Sequence, residues 1–129
     1  MSDFRHWIAV TKDARSFSLI SPLHNSGGSG GFLSSHAPGL RTVAVSETLD
    51  NIFEANRLQK CKLLKMDCEG AEHEILANTN ALDKFERLSV EIHINDNLRR
   101  QGYSSDSLFS ILSKAIPAER LAVRFNESQ

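Results

Sequence analysis

Short apolar runs alternate with amphipathic stretches along most of this chain. Arg41 to Val45 is a β-branched run. Behind it Leu49, Ile52 and Phe53 recur at helical spacing, with Ser46 read as the cap and Glu47 near the positive helix end. Cys61 to Met66 is apolar on both faces, as expected of a strand buried in a parallel sheet. Ala71, Ile75, Leu76 and Leu82 mark the next helix, and Leu88 to Ile94 a second buried-type strand. Leu108, Ile111 and Leu112 line a third helix, ended by Pro117, and Leu121 to Phe125 reads as a last strand near an edge. From Arg41 the order β-α-β-α-β-α-β predicts an α/β fold with a mostly parallel sheet, right-handed crossovers and helices on both faces.

The N-terminal part reads differently. Trp7 to Val10 and Ser16 to Ile20 are short β-rich runs joined by a turn at Lys12-Asp13-Ala14-Arg15, which predicts a small β insertion. Residues 21–39, rich in Gly, Ser, Asn and Pro, read as a flexible loop. Its Gly27-Gly28-Ser29-Gly30-Gly31 run does not qualify as a phosphate loop, because no strand leads directly into it and no helix follows. His24 and His36 flank it as solvated loop residues.

Composition narrows the function classes. At 129 residues the chain suits a single domain, residues 1–129. A formal net charge of −1 predicts neither nucleic acid nor an anionic membrane as partner, and no apolar run reaches bilayer length. The first residues lack the pattern of a signal peptide. Cys61 and Cys68 have neither metal-type nor redox-type spacing, which predicts reduced thiols in a cytoplasmic protein.

The chemistry gathers at two strand ends. Lys65 and Asp67 share one face of their strand by alternation, and Glu91 and His93 share one face of the next. If both sheet faces are covered, buried charges there must pair, which predicts a Lys65–Glu91 ion pair with Asp67 and His93 nearer the open end. Gly70 provides a tight turn that projects Glu69 over the strand ends. Glu72 is accounted for by its position at a positive helix end, and His73 and Glu74 by a solvated helix face. Asp67, Glu69, Glu91 and His93 could converge as oxygen-rich ligands suited to magnesium, manganese or iron. No compact ligand motif is present, and no metal is assigned.

The segment Lys65-x-Asp67-x-Glu69-Gly70-x-Glu72 resembles the signature of FkbM-type methyltransferases. Thr48-Leu49-Asp50 upstream, Glu91-Ile92-His93 downstream, Ile8 to Asp13 and the Ser/Gly stretch from Ser26 to Ser35 are similar to the family's other pieces. Cys68 stands where the family usually has an aliphatic residue. The resemblance implies a class I methyltransferase sheet and methyl transfer from S-adenosylmethionine to a hydroxyl of a small molecule or glycan. It places Asp67 and Glu69 as catalytic residues, with Lys65, Glu91 and His93 as substrate-side or supporting positions. The family's N-terminal strand, glycine-rich turn and ribose-binding acid have no counterpart here, so no cofactor-binding residue is assigned. The chain is accordingly expected to form the C-terminal part of the domain. Exposed apolar surface, and self-association or a cognate N-terminal half as partner, follow from that expectation. A non-catalytic interaction module and a metal-dependent hydrolase are the competing readings.

Overall fold

A computed structural model of the chain describes residues 9–21 and 40–129. The Gly/Ser stretch, His24 and His36 lie outside the described residues. The elements run β1 (Ala9–Val10), β2 (Ser16–Ser21), β3 (Leu40–Glu47), α1 (Leu49–Ala55), β4 (Cys61–Met66), α2 (Glu72–Ala77), β5 (Phe85–Ile94), α3 (Asp96–Arg100), α4 (Ser105–Ala115) and β6 (Leu121–Glu127). Single 3-10 turns at Leu82–Lys84 and Ala118–Arg120 precede β5 and β6. The architecture is α/β and mostly parallel.

Among the described residues the strands form two three-stranded sheets rather than one. In the first, β3 is central, parallel to β1 and antiparallel to β2, with Ser16 opposite Val45 and Ser21 opposite Leu40. The second has the order β4-β5-β6, parallel throughout. The strand starting near Arg41 therefore does not join the later strands, contrary to the continuous β-α-β series that the pattern suggests. Both hydrogen-bonding edges of β3 are taken by β1 and β2, so it has none left for β4.

Local chemistry explains the element ends. The cap of α1 is Thr48, whose hydroxyl accepts from the Asn51 N–H at 3.0 Å. Ser46 is not the cap. It sits at the end of β3, buried, where its hydroxyl donates to the Arg15 carbonyl and accepts from Thr11 Oγ1 at 2.7 Å. Asn95 and Ser104 cap α3 and α4 in the same way as Thr48 caps α1. Helix α2 ends at Ala77, so Leu82 enters the core from the 3-10 turn instead.

Alternation along the second sheet separates two faces. Leu64, Met66, Leu88, Val90, Ile92, Leu121 and Val123 point to one of them, and all belong to or pack against the core with Ile75 and Leu76 of α2 and Leu108 and Leu112 of α4. Ile111 turns outward instead, since α4 directs Leu108, Leu112 and Ile116 inward. The opposite face is covered at its start, where Phe53 of α1 meets Phe85 edge-on with ring centroids 5.3 Å apart. Beyond that point it is open among the described residues: Leu63 is 55% exposed, and Lys65, Arg87, Ala122 and Arg124 are exposed beside it. The carboxyl ends of β4 and β5 border this open face.

Candidate active site

The turn after β4 is built by two consecutive residues with positive φ, Glu69 at 56° and Gly70 at 113°. The left-handed conformation is disfavoured for glutamate by about 1–2 kcal/mol, so the fold holds Glu69 there against its preference. The turn returns the chain to start α2 at Glu72, whose side chain folds back beneath it. Glu72 is 0% exposed. Its Oε2 accepts from the Gly70 N–H at 2.9 Å, and its Oε1 accepts from the His93 backbone N–H at 2.6 Å and lies 3.0 Å from His93 Nδ1. One buried carboxylate thus ties the β4 turn, the start of α2 and the end of β5 together.

Held at Nδ1, the His93 ring directs Nε2 toward three carboxylates. Nε2 lies 3.4 Å from Asp67 Oδ1, 3.4 Å from Glu91 Oε2 and 3.8 Å from Glu69 Oε2. Asp67 and Glu69 remain about half exposed, Glu91 less so, while the imidazole is 9% exposed. Burial lowers the His93 pKa, but the hydrogen bond to Glu72 and the charges of Glu72, Glu69 and Glu91 outweigh it, and the net shift is upward. Desolvation, then the charges of Glu72 and Asp67, push the neighbouring Cys68 thiol up to about 11. The site favours positive charge and suppresses a thiolate.

Four of the five candidate residues come together here. Lys65 does not. In the β4–β5 register it stands opposite Ser89, and among the described residues it makes no ion pair with Glu91. The expected pair presupposed a covered sheet face; on an open one Lys65 remains solvated, and Glu91 turns to His93. His73 and Glu74 also differ from a solvated helix face. His73 is buried, its Nε2 2.7 Å from the His93 carbonyl oxygen, and its ring stacks on Tyr103 at 5.0 Å. Glu74 accepts from Arg15 at 2.7 Å, which links α2 to the turn after β1. A polar cleft of about 350 Å³ lies alongside, between Arg15, Glu69, Asn95, Asn97 and Gln101. A second opening borders Asp67 and Glu91 on the open sheet face, next to Lys65 and Arg124.

Residues 2–115 match the methyltransferase FkbM domain. The chain belongs to the FkbM methyltransferase family. No curated protein and no solved structure matches it. Membership accounts for the Lys-x-Asp-x-Glu-Gly-x-Glu turn at the carboxyl end of β4, the place where open α/β sheets bind ligands. The family's cofactor, S-adenosylmethionine, requires a glycine turn open to close backbone approach. Gly70 does not provide one, because a Cβ added there would already lie 3.1 Å from the Leu98 side chain. Gly70 of this FkbM protein thus offers the cofactor no open cradle, and the side chains gathered around it are acidic.

Proposed function

We propose that this FkbM-family chain serves S-adenosylmethionine-dependent methyl transfer to a hydroxyl oxygen of a small molecule or glycan. The observation that carries the reading is the convergence of Asp67, Glu69 and Glu91 on His93 Nε2 at the carboxyl ends of β4 and β5. A hydroxyl entering between Asp67 and Glu69 meets two exposed carboxylates able to accept its hydrogen bond. Asp67 orients the acceptor and takes its proton, and Glu69 shapes the opening toward the polar cleft. His93, fixed by Glu72, spreads the charge that results. The donor site is completed by a partner, either a second copy or a cognate N-terminal half.

The test is calorimetric titration with S-adenosylmethionine, followed by transfer of its labelled methyl group to a panel of sugars and other polyols. Wild type is expected to label an acceptor, alone or with the completing partner, and Asp67→Asn to lose about 100-fold or more of that rate. Undiminished transfer by Asp67→Asn overturns the assignment of the base. Light scattering reads the partner separately, and a strict monomer at high concentration counts against self-association.

A further inference from the structure

The open sheet face beside Asp67 carries positive charge that no protein group answers. Two rows of side chains cross the second sheet on this face. Lys65 of β4, Ser89 of β5 and Ala122 of β6 form one row. Glu91 and Arg124 form the next, nearer the carboxyl ends, and Asp67, just past β4, extends it. These six residues line a cleft of about 390 Å³, with the small side chains of Ser89 and Ala122 as its floor. We propose that the cleft binds an anionic group of the methyl acceptor, a phosphate or a carboxylate. The anion is held between Lys65 and Arg124 above Ser89, and the acceptor's hydroxyl lies at Asp67.

The deciding observation is an ion pair that does not form. Opposite charges facing one another across neighbouring strands ordinarily attract. Glu91 and Arg124 are such register partners, yet they are not paired among the described residues, because His93 Nε2 draws both Glu91 and Asp67, each at 3.4 Å. Lys65 and Arg124 are exposed, and among the described residues neither they nor the Ser89 hydroxyl has a partner. β4 and β6 lie two strand spacings apart, about 10 Å, a span that two long side chains can close around one anion. The guanidinium offers two parallel N–H donors to a pair of oxygens, the ammonium a point charge, and Ser89 a third donor at the floor. Asp67 and Glu91 repel the anion from the other end, which turns the acceptor's hydroxyl toward the proposed base. Arg87 shares the open face but lies outside the cleft, so it contributes field without contact. The hydroxyl end of this assignment rests on the proposed methyl transfer; binding of the anion does not.

The experiment is titration of the full chain with glucose 6-phosphate, glucuronate and glucose at constant ionic strength, without S-adenosylmethionine. Calorimetry reads the affinity, and NMR shifts of the Arg124 side-chain N–H read the place. At least one of the two charged sugars is expected to bind about tenfold or more tighter than glucose; which one it is tells a phosphate from a carboxylate. Lys65→Ala and Arg124→Ala, both on exposed side chains, are expected to keep the circular dichroism spectrum and to weaken that binding about fivefold or more each. Arg87→Ala is the control, with an expected change below about twofold. Charged sugars that bind no tighter than glucose overturn the proposal, as does binding that neither cleft variant weakens. A loss in Arg87→Ala as large as in the cleft variants also overturns it, since diffuse charge and not a site would then hold the anion. Anion binding in the cleft with no methyl transfer to any acceptor would sustain the site and sink the proposed function. Methyl transfer to neutral polyols that is undiminished in Lys65→Ala and Arg124→Ala would sustain the function and sink this inference.

Discussion

Glu72 grips His93 twice through a single oxygen, at the backbone N–H (2.6 Å) and at Nδ1 (3.0 Å), with no solvent exposure of its own. Its other oxygen takes the Gly70 N–H. A buried carboxylate is costly unless fully hydrogen-bonded, and here three donors from two elements meet it. Glu72 therefore ranks as the structural keystone of the site rather than as a helix-end charge.

Replacing it tests this directly. Glu72→Ala leaves buried donors on Gly70 and His93 without an acceptor and opens a cavity beneath the turn. Each orphaned donor costs about 1–3 kcal/mol, so a loss of roughly 3 kcal/mol or more is expected in urea unfolding. Glu72→Gln keeps the volume and one acceptor oxygen and should lose less. A change below about 0.5 kcal/mol in Glu72→Ala, the range of ordinary surface substitutions, would contradict the keystone role.

The raised pKa of His93 links stability to pH. Burial works against protonation, but Glu72 first, then Glu69 and Glu91, hold the proton more tightly in the folded chain than in the unfolded one. Asp67, at the end of β4, faces the same nitrogen. Protonation thus favours folding. The contribution is complete below about pH 6.5, the ordinary value, and disappears as pH rises through the higher folded-state value. Unfolding free energy should fall as pH rises above about 6.5, and His93→Gln should flatten that slope. A rise across the same interval in wild type would reverse the sign argued here.

How much of this was legible beforehand depends on the residue. Apolar runs located β4, β5 and β6 and helical spacings located α1 and α4, because each has a buried side that its apolar residues must fill; the run at β4 does not show that its other face is open. The separation of β3 into its own sheet was hidden, since the apolar pattern within β3 does not choose between β2 and β4 as its partner. Asp67, Glu69 and His93 were legible as strand-end chemistry. Glu72, His73 and Glu74 were not, as polar residues opening a short helix have a sufficient surface explanation. Only the backfolded turn shows that Glu72 and His73 point inward. One available signal was passed over: Gly70 permits a reversal sharp enough to direct the next carboxylate back onto the strand ends.

Cys68 offers a chemical probe of the same surroundings. Desolvation and the charges of Glu72 and Asp67 raise its pKa to about 11 from the usual 9.0. Two units leave about 100-fold less thiolate at pH 8 than an ordinary thiol has. In a Cys61→Ser background, iodoacetamide labelling of Cys68 should be slow at pH 8 and keep accelerating up to pH 11. Labelling at the rate of a free thiol at pH 8 would show that the acidic surroundings do not act on it. Labelling should also quicken in Glu72→Gln, which removes the stronger of the two charge effects on the thiol.

Gly70 tests the turn that carries Glu69. Its φ of 113° is disfavoured for any residue with a Cβ, and the added atom would lie 3.1 Å and 3.2 Å from the two terminal carbons of Leu98. Leu98 is itself buried, so it can give way only by disturbing its own packing. Backbone strain of about 1–3 kcal/mol then adds to the crowding, and Gly70→Ala should lower stability by about 2 kcal/mol or more. Gly70→Ala combined with Leu98→Ala relieves the contact but leaves the φ strain and opens space beside the turn. If crowding dominates, the double variant recovers part of the loss caused by Gly70→Ala relative to Leu98→Ala alone. If the backbone conformation dominates, the two effects simply add. A Gly70→Ala chain as stable as wild type would mean that the turn is not held at positive φ, and the placement of Glu69 over the strand ends would fail with it.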